Sequence, residues 1–304
     1  MKDITQRVFE MYQEYPFPGN VEYKMDYSLP MMFFFAENAP KGMKSVLERA
    51  NILEAGCGTG NTLIKLAQSF PESSFTGVDM TTNSLKIAEE NAAKKGLRNI
   101  TFTKENILEM DLSKKFTVLF CIGVLHHLAD METGLNNLVR HLDNDGYLIL
   151  WLYGKYGRSK LNLNQFMFNT LFKNIDTLKE KVRLAKKALK FSDKLMECHF
   201  NVPDSGIEDD WDKSLKFILN NDAWLVDQFL HYNEKTVDMK DIFELADKNS
   251  MELVFWSNVS MDIRKYITDD EIASVYENLE EREKMLVLDL LLKPKYYFVA
   301  LKKK

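Results

Sequence analysis

Ten residues, Asn51-Ile-Leu-Glu-Ala-Gly-Cys-Gly-Thr-Gly60, constrain this chain more than any other stretch. A short apolar run, Ile52-Leu53, leads into glycines at three alternate positions: Gly56, Gly58 and Gly60. Beyond them, Thr62-Leu63-Ile64-Lys65-Leu66-Ala67 has the spacing of a helix with one apolar face. The pattern is strand, tight glycine turn, helix. With no Cβ in the way, backbone N–H groups in such a turn can approach a ligand closely. The helix N-terminus behind it favours anionic or carboxylate groups. A dinucleotide fingerprint reads G-x-G-x-x-G. Here the third glycine comes one residue early, and Asn61 stands where that pattern needs Gly or Ala. Glu54 adds an acidic group that a pyrophosphate site would oppose, so a nicotinamide oxidoreductase is disfavoured.

From 51 to 155 the chain alternates strand and helix. Strands are expected at 51–55, 74–78, 100–103, 116–122 and 147–153. Helices are expected at 83–95, with Lys94, Lys95 and Gly96 at its end, and at 131–142. Continuous apolar strands with helical crossovers imply a parallel sheet covered on both faces. Ligands of such sheets bind at the carboxyl ends of the strands. After 236 come a helix to 248, a strand at 252–256, helices at 269–279 and 281–292 stopped by Pro294, a strand at 296–301, and a frayed tail at 302–304.

Asp79 ends the second strand. A carboxylate there can accept hydrogen bonds from both ribose hydroxyls of an adenosine, which would put Met80 beside the adenine. The bland alternative is a cap on the next helix, although Thr81, Thr82 and Asn83 are better placed for that.

Glu54 followed by G-x-G-x-G resembles motif I of the class I S-adenosylmethionine-dependent methyltransferases. Phe116-Thr-Val-Leu-Phe-Cys-Ile-Gly-Val-Leu-His-His127 is similar to the strand-four motif of their small-molecule-type members. Leu142-Asp-Asn-Asp-Gly146 stands where the family has a Pro-Gly-Gly turn. The resemblance covers about 51–155 and 236–301 and points to a bacterial subgroup with a helical insertion. It implies an α/β fold: a Rossmann-like seven-stranded mostly parallel sheet, helices on both faces, and the last strand antiparallel. It also implies S-adenosylmethionine as cofactor and S-adenosylhomocysteine as product. Gly56, Gly58 and Gly60 would hold the methionine part, with Ile122 and Gly123 lining that end, and Glu54 and Cys57 would also bind the cofactor. Asn106 would take the adenine amino group in place of the family's Asp, with Ile107 along the ring and Glu105 as the competing choice. His126 or His127, with Tyr153 and His231 in reserve, would orient or deprotonate the acceptor. Adjacent histidines face different directions, so at most one sees substrate; the other is expected to be structural, bonded to a loop carbonyl. No third ligand at a recognisable spacing suggests a metal.

Residues 1–50 do not read as sheet. Ile4, Val8, Met11 and Tyr12 fall at helical spacing, and Tyr15-Pro16-Phe17-Pro18 breaks the helix. The aromatics and methionines that follow at 23–35 form either a packed extension or a cap, with Tyr12, Tyr15 or Tyr27 facing the pocket. Trp151, Tyr153, Tyr156 and Arg158 arrive where substrate should be. Beyond them Phe166, Met167, Thr170, Leu171 and Ile175 suggest an apolar helix. Leu178, Val182, Ala185 and Leu189 suggest an amphipathic one, whose other face is basic from Lys179 to Lys190. An acidic loop at 204–212 precedes Asp227, His231 and Tyr232, the polar pocket candidates of this part. The expected organisation is a cap at 1–50, a core at 51–158 and 236–304, and a helical lid at 159–235.

The chain has 304 residues, 45% of them hydrophobic, enough to bury a large core. No apolar run reaches membrane-spanning length, the N-terminus has no apolar leader segment, and Cys57, Cys121 and Cys198 are too scattered for a disulfide scaffold. A cytoplasmic protein with no membrane partner is expected. The net charge of −5 offers nucleic acid no general attraction. The reading is methyl transfer to an O or N nucleophile of a small organic acceptor. The basic face at 179–190 supports a protein or RNA acceptor instead. A cofactor-binding partner or sensor that does not catalyse is the third reading.

Overall fold

The computed structural model describes residues 3–17, 44–192, 195 and 211–304, with the side chains of residues 44, 211 and 212 left out. Tyr27 and its neighbours at 23–35, Cys198 and the loop at 204–210 lie outside the described residues.

The strands are β1 (Asn51–Ala55), β2 (Ser74–Asp79), β3 (Ile100–Lys104), β4 (Phe116–Ile122), β5 (Leu142–Tyr153), β6 (Met251–Trp256) and β7 (Tyr296–Lys303). They make one sheet in the order β3-β2-β1-β4-β5-β7-β6. The first five pair in parallel, and β7 runs antiparallel to both β5 and β6. Strand order reverses between β1 and β4, which is where a crevice opens at the carboxyl ends of a doubly wound sheet.

Alternation along the strands builds two cores. Ile52, Val118, Phe120 and Ile149 pack on one face with Leu63, Leu66 and Ala67 of α2 (Asn61–Ser69). Leu53, Leu119, Cys121 and Leu150 pack on the other with Leu135 and Leu138 of α4 (Met131–Arg140). Each fully buried Leu, Ile or Phe contributes about 1.5–3 kcal/mol relative to exposure. Between these helices α3 (Thr82–Lys94) returns the chain from β2 to β3.

The chain leaves the sheet at Gly154 and rejoins it at Val237 through a parallel bridge. Lys155 N–H donates to Val237 O (2.8 Å) and Val237 N–H to Tyr153 O (3.0 Å). Between those points lie α5 (Ser159–Leu171), α6 (Leu178–Phe191), α7 (Trp211–Asn220) and α8 (Asp222–Phe229). They share a third core, in which Phe168, Val182, Leu189, Trp224 and Phe229 meet Met11 of α1 (Ile4–Glu14). The N-terminal helix therefore packs on the insertion. Arg158 fastens the unit: it donates three times to Glu234 (2.9, 3.0 and 3.2 Å) and once to Gln228 Oε1 (3.2 Å), and the Arg158 and Glu234 side chains are 1% and 2% exposed. The basic face of α6 is turned outward except where Lys181 lies 5.4 Å from the Tyr232 ring and Lys186 meets Asp222. After the bridge, α9 (Met239–Lys248) opens with a capping box of Asp238 and Asp241. Then α10 (Asp270–Glu277) and α11 (Glu281–Leu292) lead into β7.

Three expectations change. Residues 143–146 are not a turn before β5: that strand starts at Leu142 and carries a bulge opposite Phe116 and Val118, with Asp145 at φ 62°. Lys302 and Lys303 are not a frayed tail, because they pair with Glu252 and Met251. Ile175 lies beyond α5, which ends at Leu171. No described helix is long and apolar enough to cross a membrane.

Candidate functional site

A cavity of about 300 Å³ opens at the carboxyl ends of β1, β2 and β4, beneath α1 and α8. Its floor is the glycine turn. Gly56 and Cys57 N–H both donate to Val78 O (2.8 and 3.0 Å), tying the turn to β2. Gly56 has φ 76°, and a Cβ there would lie 2.5 Å from Val124 Cγ2, so packing demands glycine. Gly58, at φ 52°, lines the cavity, and a Cβ there would meet nothing within 4 Å. That open approach to backbone is what a ligand cradle needs. Gly60 departs from expectation. It does not line the cavity, and a Cβ on it would press on Ala88 and Phe102 at 2.9–3.0 Å. Its place is in packing at the start of α2.

Asp79 closes the turn. Its Oδ2 accepts from Gly58 N–H (2.9 Å), and its Oδ1 accepts from Thr81 N–H (2.8 Å) and the Thr81 hydroxyl (2.6 Å). Oδ1 is filled by its two donors, while Oδ2 keeps one further acceptor site. Met80, Glu105, Asn106, Ile107 and Ile122 line the wall around it. Asn106 is partly committed: its Oδ1 accepts from Leu108 N–H (3.1 Å), as an Asx turn does. The acceptor expected for an exocyclic amine is thus shared with the backbone, and Glu105 stays a competitor.

Glu54, 5% exposed, has no hydrogen-bond partner for Oε2 among the described residues. Burial pushes its carboxyl up to about 8; nearby Asp79 adds to this and the Leu63 N–H opposes it. An orphaned buried acid beside an uncovered glycine fits a ligand that brings a cationic donor to that point. The amino-acid end of S-adenosylmethionine has this chemistry, so the residues present fit the group. Cys57 lines the same end as a buried thiol raised well above its ordinary pKa by burial.

At the other end, helix and loop residues converge on His127. Its Nδ1–H donates to Asn233 O (3.1 Å), because a carbonyl can only accept. In the neutral ring this leaves the lone pair on Nε2, and His127 lines the cavity. Asn233 also clamps the loop, donating Nδ2–H to His127 O (3.0 Å) and Leu128 O (2.8 Å). His231 stacks on His127 at 3.9 Å between ring centres. Its Nδ1 accepts from Asn233 N–H (3.0 Å), so its proton sits on Nε2, facing Tyr12 Oη at 3.2 Å. Tyr12 then donates to Asp227 Oδ1 (3.0 Å), and Gln228 Nε2 donates to Asp227 Oδ2 (2.7 Å) and Tyr153 Oη (3.2 Å).

His127, Asp227 and His231 bring their ligating atoms within 4.8 Å of one another, a trio that sequence spacing could not reveal. The protonated Nε2 of His231 opposes metal binding, since a ligating histidine nitrogen must carry a lone pair.

The other candidates divide. His126 does not line the cavity; it is fully buried, with neither ring nitrogen hydrogen-bonded among the described residues, and burial holds its pKa well below the usual value. The histidine bonded to a loop carbonyl is His127, the same one that reaches the cavity. His231 is buried behind Tyr12 and His127 and stays neutral through burial. Tyr153 lines the cavity, but burial raises its phenol far above the usual range, which suits a neutral donor better than a base. Tyr156 and Arg158 are not at the cavity: Tyr156 donates to Asp238 (3.2 Å), and Arg158 is consumed by Glu234. Tyr232 lies under Arg7 (4.3 Å) and Lys181. Tyr12, Trp151 and Trp224 do line the cavity. Gln228 and Asn233 were missed, for neither falls in a periodic pattern or motif.

A family model described as a methyltransferase domain matches residues 47–181. An uncharacterised protein of Synechococcus sp. is 31% identical over 171 residues, 53% of this chain and 40% of that protein. A malonyl-[acyl-carrier protein] O-methyltransferase of Bacillus cereus is 31% identical over 136 residues, 45% of this chain and 47% of that protein. The matches thus span less than half the length of either relative. PKMT2 from Rickettsia typhi in complex with AdoHcy shares the fold, with TM-score 0.64 at 20% identity over 84% of this chain and 49% of that one. The methyltransferase-domain match thus covers residues 47–181, and the sheet order and glycine turn agree with the resemblance to the class I S-adenosylmethionine-dependent methyltransferases.

Proposed function

We propose that this protein transfers the methyl group of S-adenosylmethionine to an O or N nucleophile of a small organic acceptor, in the cytoplasm. The observation that carries this reading is one cavity with the open Gly58 backbone and buried Glu54 at one end and His127 at the other. Glu54 holds the α-ammonium, the N-terminus of α2 faces the carboxylate, Asp79 takes the ribose, and Met80 and Ile107 flank the adenine. The cofactor supplies a methyl on a sulfonium, whose departure as a neutral thioether requires no acid. The chain's task is therefore alignment, exclusion of water and removal of one proton. His127 Nε2 accepts that proton while Asn233 O holds Nδ1–H. Residues 1–50 and 159–235 form the acceptor-side unit over the core of 51–158 and 236–304. The aromatic-lined cavity favours a small acceptor.

The test is transfer of labelled methyl from S-adenosylmethionine to acceptor fractions, compared among His127→Gln, His126→Phe and wild type. His127→Gln should slow turnover by roughly 10²–10⁴ with S-adenosylhomocysteine affinity retained, and His126→Phe should turn over normally. Normal turnover in His127→Gln would remove the base assignment, and absence of S-adenosylhomocysteine binding in wild type would remove the whole reading.

A further inference from the structure

Asp227 is a buried carboxylate with no direct ion pair among the described residues. It is 4% exposed and lines the cavity. Both of its hydrogen-bond partners, the Tyr12 hydroxyl and the Gln228 amide, are neutral. No ion pair among the described residues includes it. The Arg158 guanidinium belongs to Glu234, and His231 is neutral by its own hydrogen bonds. Buried charges are ordinarily paired, because desolvation costs more than neutral donors return. Burial accordingly raises the Asp227 carboxyl above the usual range.

Among the described lining residues there is no Lys or Arg. The other lining carboxylates, Glu54, Asp79 and Glu105, sit at the glycine-turn end, where the cofactor reading employs them. An acceptor bearing a carboxylate or phosphate would be opposed by the Asp227 carboxylate here. A metal is a poor substitute, since His231 Nε2 carries a proton and only two ligands would remain. The walls include the rings of Tyr12, Trp151, Tyr153 and Trp224, a lining that suits an organic cation. The Asp227 oxygen and the His127 nitrogen lie within 4.8 Å of each other. One nitrogen at ordinary hydrogen-bond distance from each spans that gap.

We propose that the acceptor is an alkyl ammonium whose nitrogen sits between Asp227 and His127 against these aromatic walls. This rests on the methyltransferase reading and narrows its nucleophile to nitrogen. The ammonium gives one proton to His127 Nε2. The freed lone pair forms the N–C bond as the C–S bond breaks, its electron pair staying on sulfur. The product is a methylated ammonium, which still pairs with Asp227.

The test is calorimetric titration of n-pentylammonium, 1-pentanol and pentanoate into protein loaded with S-adenosylhomocysteine, whose own binding is measured first. The expected order is ammonium tightest, by about tenfold or more over the alcohol, with pentanoate weakest. Asp227→Asn should bring ammonium and alcohol to within about threefold. The wild-type ranking decides by itself if that variant fails to fold. Alcohol or pentanoate binding as tightly as the ammonium overturns the proposal, as does absence of ammonium binding while S-adenosylhomocysteine binds. Failure of S-adenosylhomocysteine itself to bind overturns the methyltransferase reading, and the amine proposal with it.

Discussion

Protonation of Glu54 makes cofactor binding measurable without knowing the acceptor. Burial, reinforced by Asp79, pushes its carboxyl up to about 8. At pH 7 about nine molecules in ten then carry the acid form, and at pH 9 about one in ten. If the α-ammonium of S-adenosylhomocysteine pairs with the carboxylate, binding expels the proton: about 0.9 per molecule at pH 7 and about 0.1 at pH 9. Titration calorimetry in buffers of differing ionisation enthalpy reads this number as a slope. Glu54→Gln should flatten the slope at pH 7 and weaken binding. The same variant should affect the unliganded fold. A raised carboxyl favours the protonated folded state, so its contribution is whole below about 4.5 and is lost as pH rises toward about 8. Glu54→Gln should therefore stabilise the unliganded protein by up to about 3 kcal/mol at pH 7 and by almost nothing at pH 4. A wild-type slope near zero at pH 7, or an equal slope in Glu54→Gln, would refute the pairing.

The two cavity glycines should separate packing from ligand contact. Gly56→Ala forces a Cβ onto Val124 and should lower the melting temperature, whereas Gly58→Ala meets open space and should cost the fold only about 1–2 kcal/mol of left-handed strain while weakening S-adenosylhomocysteine binding strongly; the reverse pattern in thermal melts and titrations would invert the two roles. Glu234→Ala leaves Arg158 buried and unpaired and should cost about 3–5 kcal/mol in urea unfolding. Conversion of both Arg158 and Glu234 to apolar residues should recover part of that loss, and no recovery would show that the charges themselves hold the insertion on β5.

The glycine-turn end of the cavity was legible because its signals are local. The glycine turn, Glu54 and Asp79 lie within one strand–turn–helix–strand unit, and backbone sterics force such a turn to look the same wherever it occurs. Asn106 and Ile107, placed just after β3 by the same local reading, line the cavity. Gly60 was misassigned, because only packing against Ala88 and Phe102 reveals that it faces away from the cavity. On the acceptor half, the pair His126-His127 was visible but not its division of labour. The carbonyl that holds His127 Nδ1–H belongs to Asn233, 106 residues away, and Tyr12 meets Asp227 across 215 residues.

Local order thus determined the parallel sheet, its crossovers and the cofactor turn, since apolar alternation and glycine spacing act over a few residues. Tertiary structure alone decided which histidine reaches the cavity, that Arg158 pairs with Glu234, and that Asp227 is buried with no direct ion pair among the described residues. Those outcomes depend on tautomer, burial and charge pairing, which exist only once the insertion and the N-terminal helix close over the sheet.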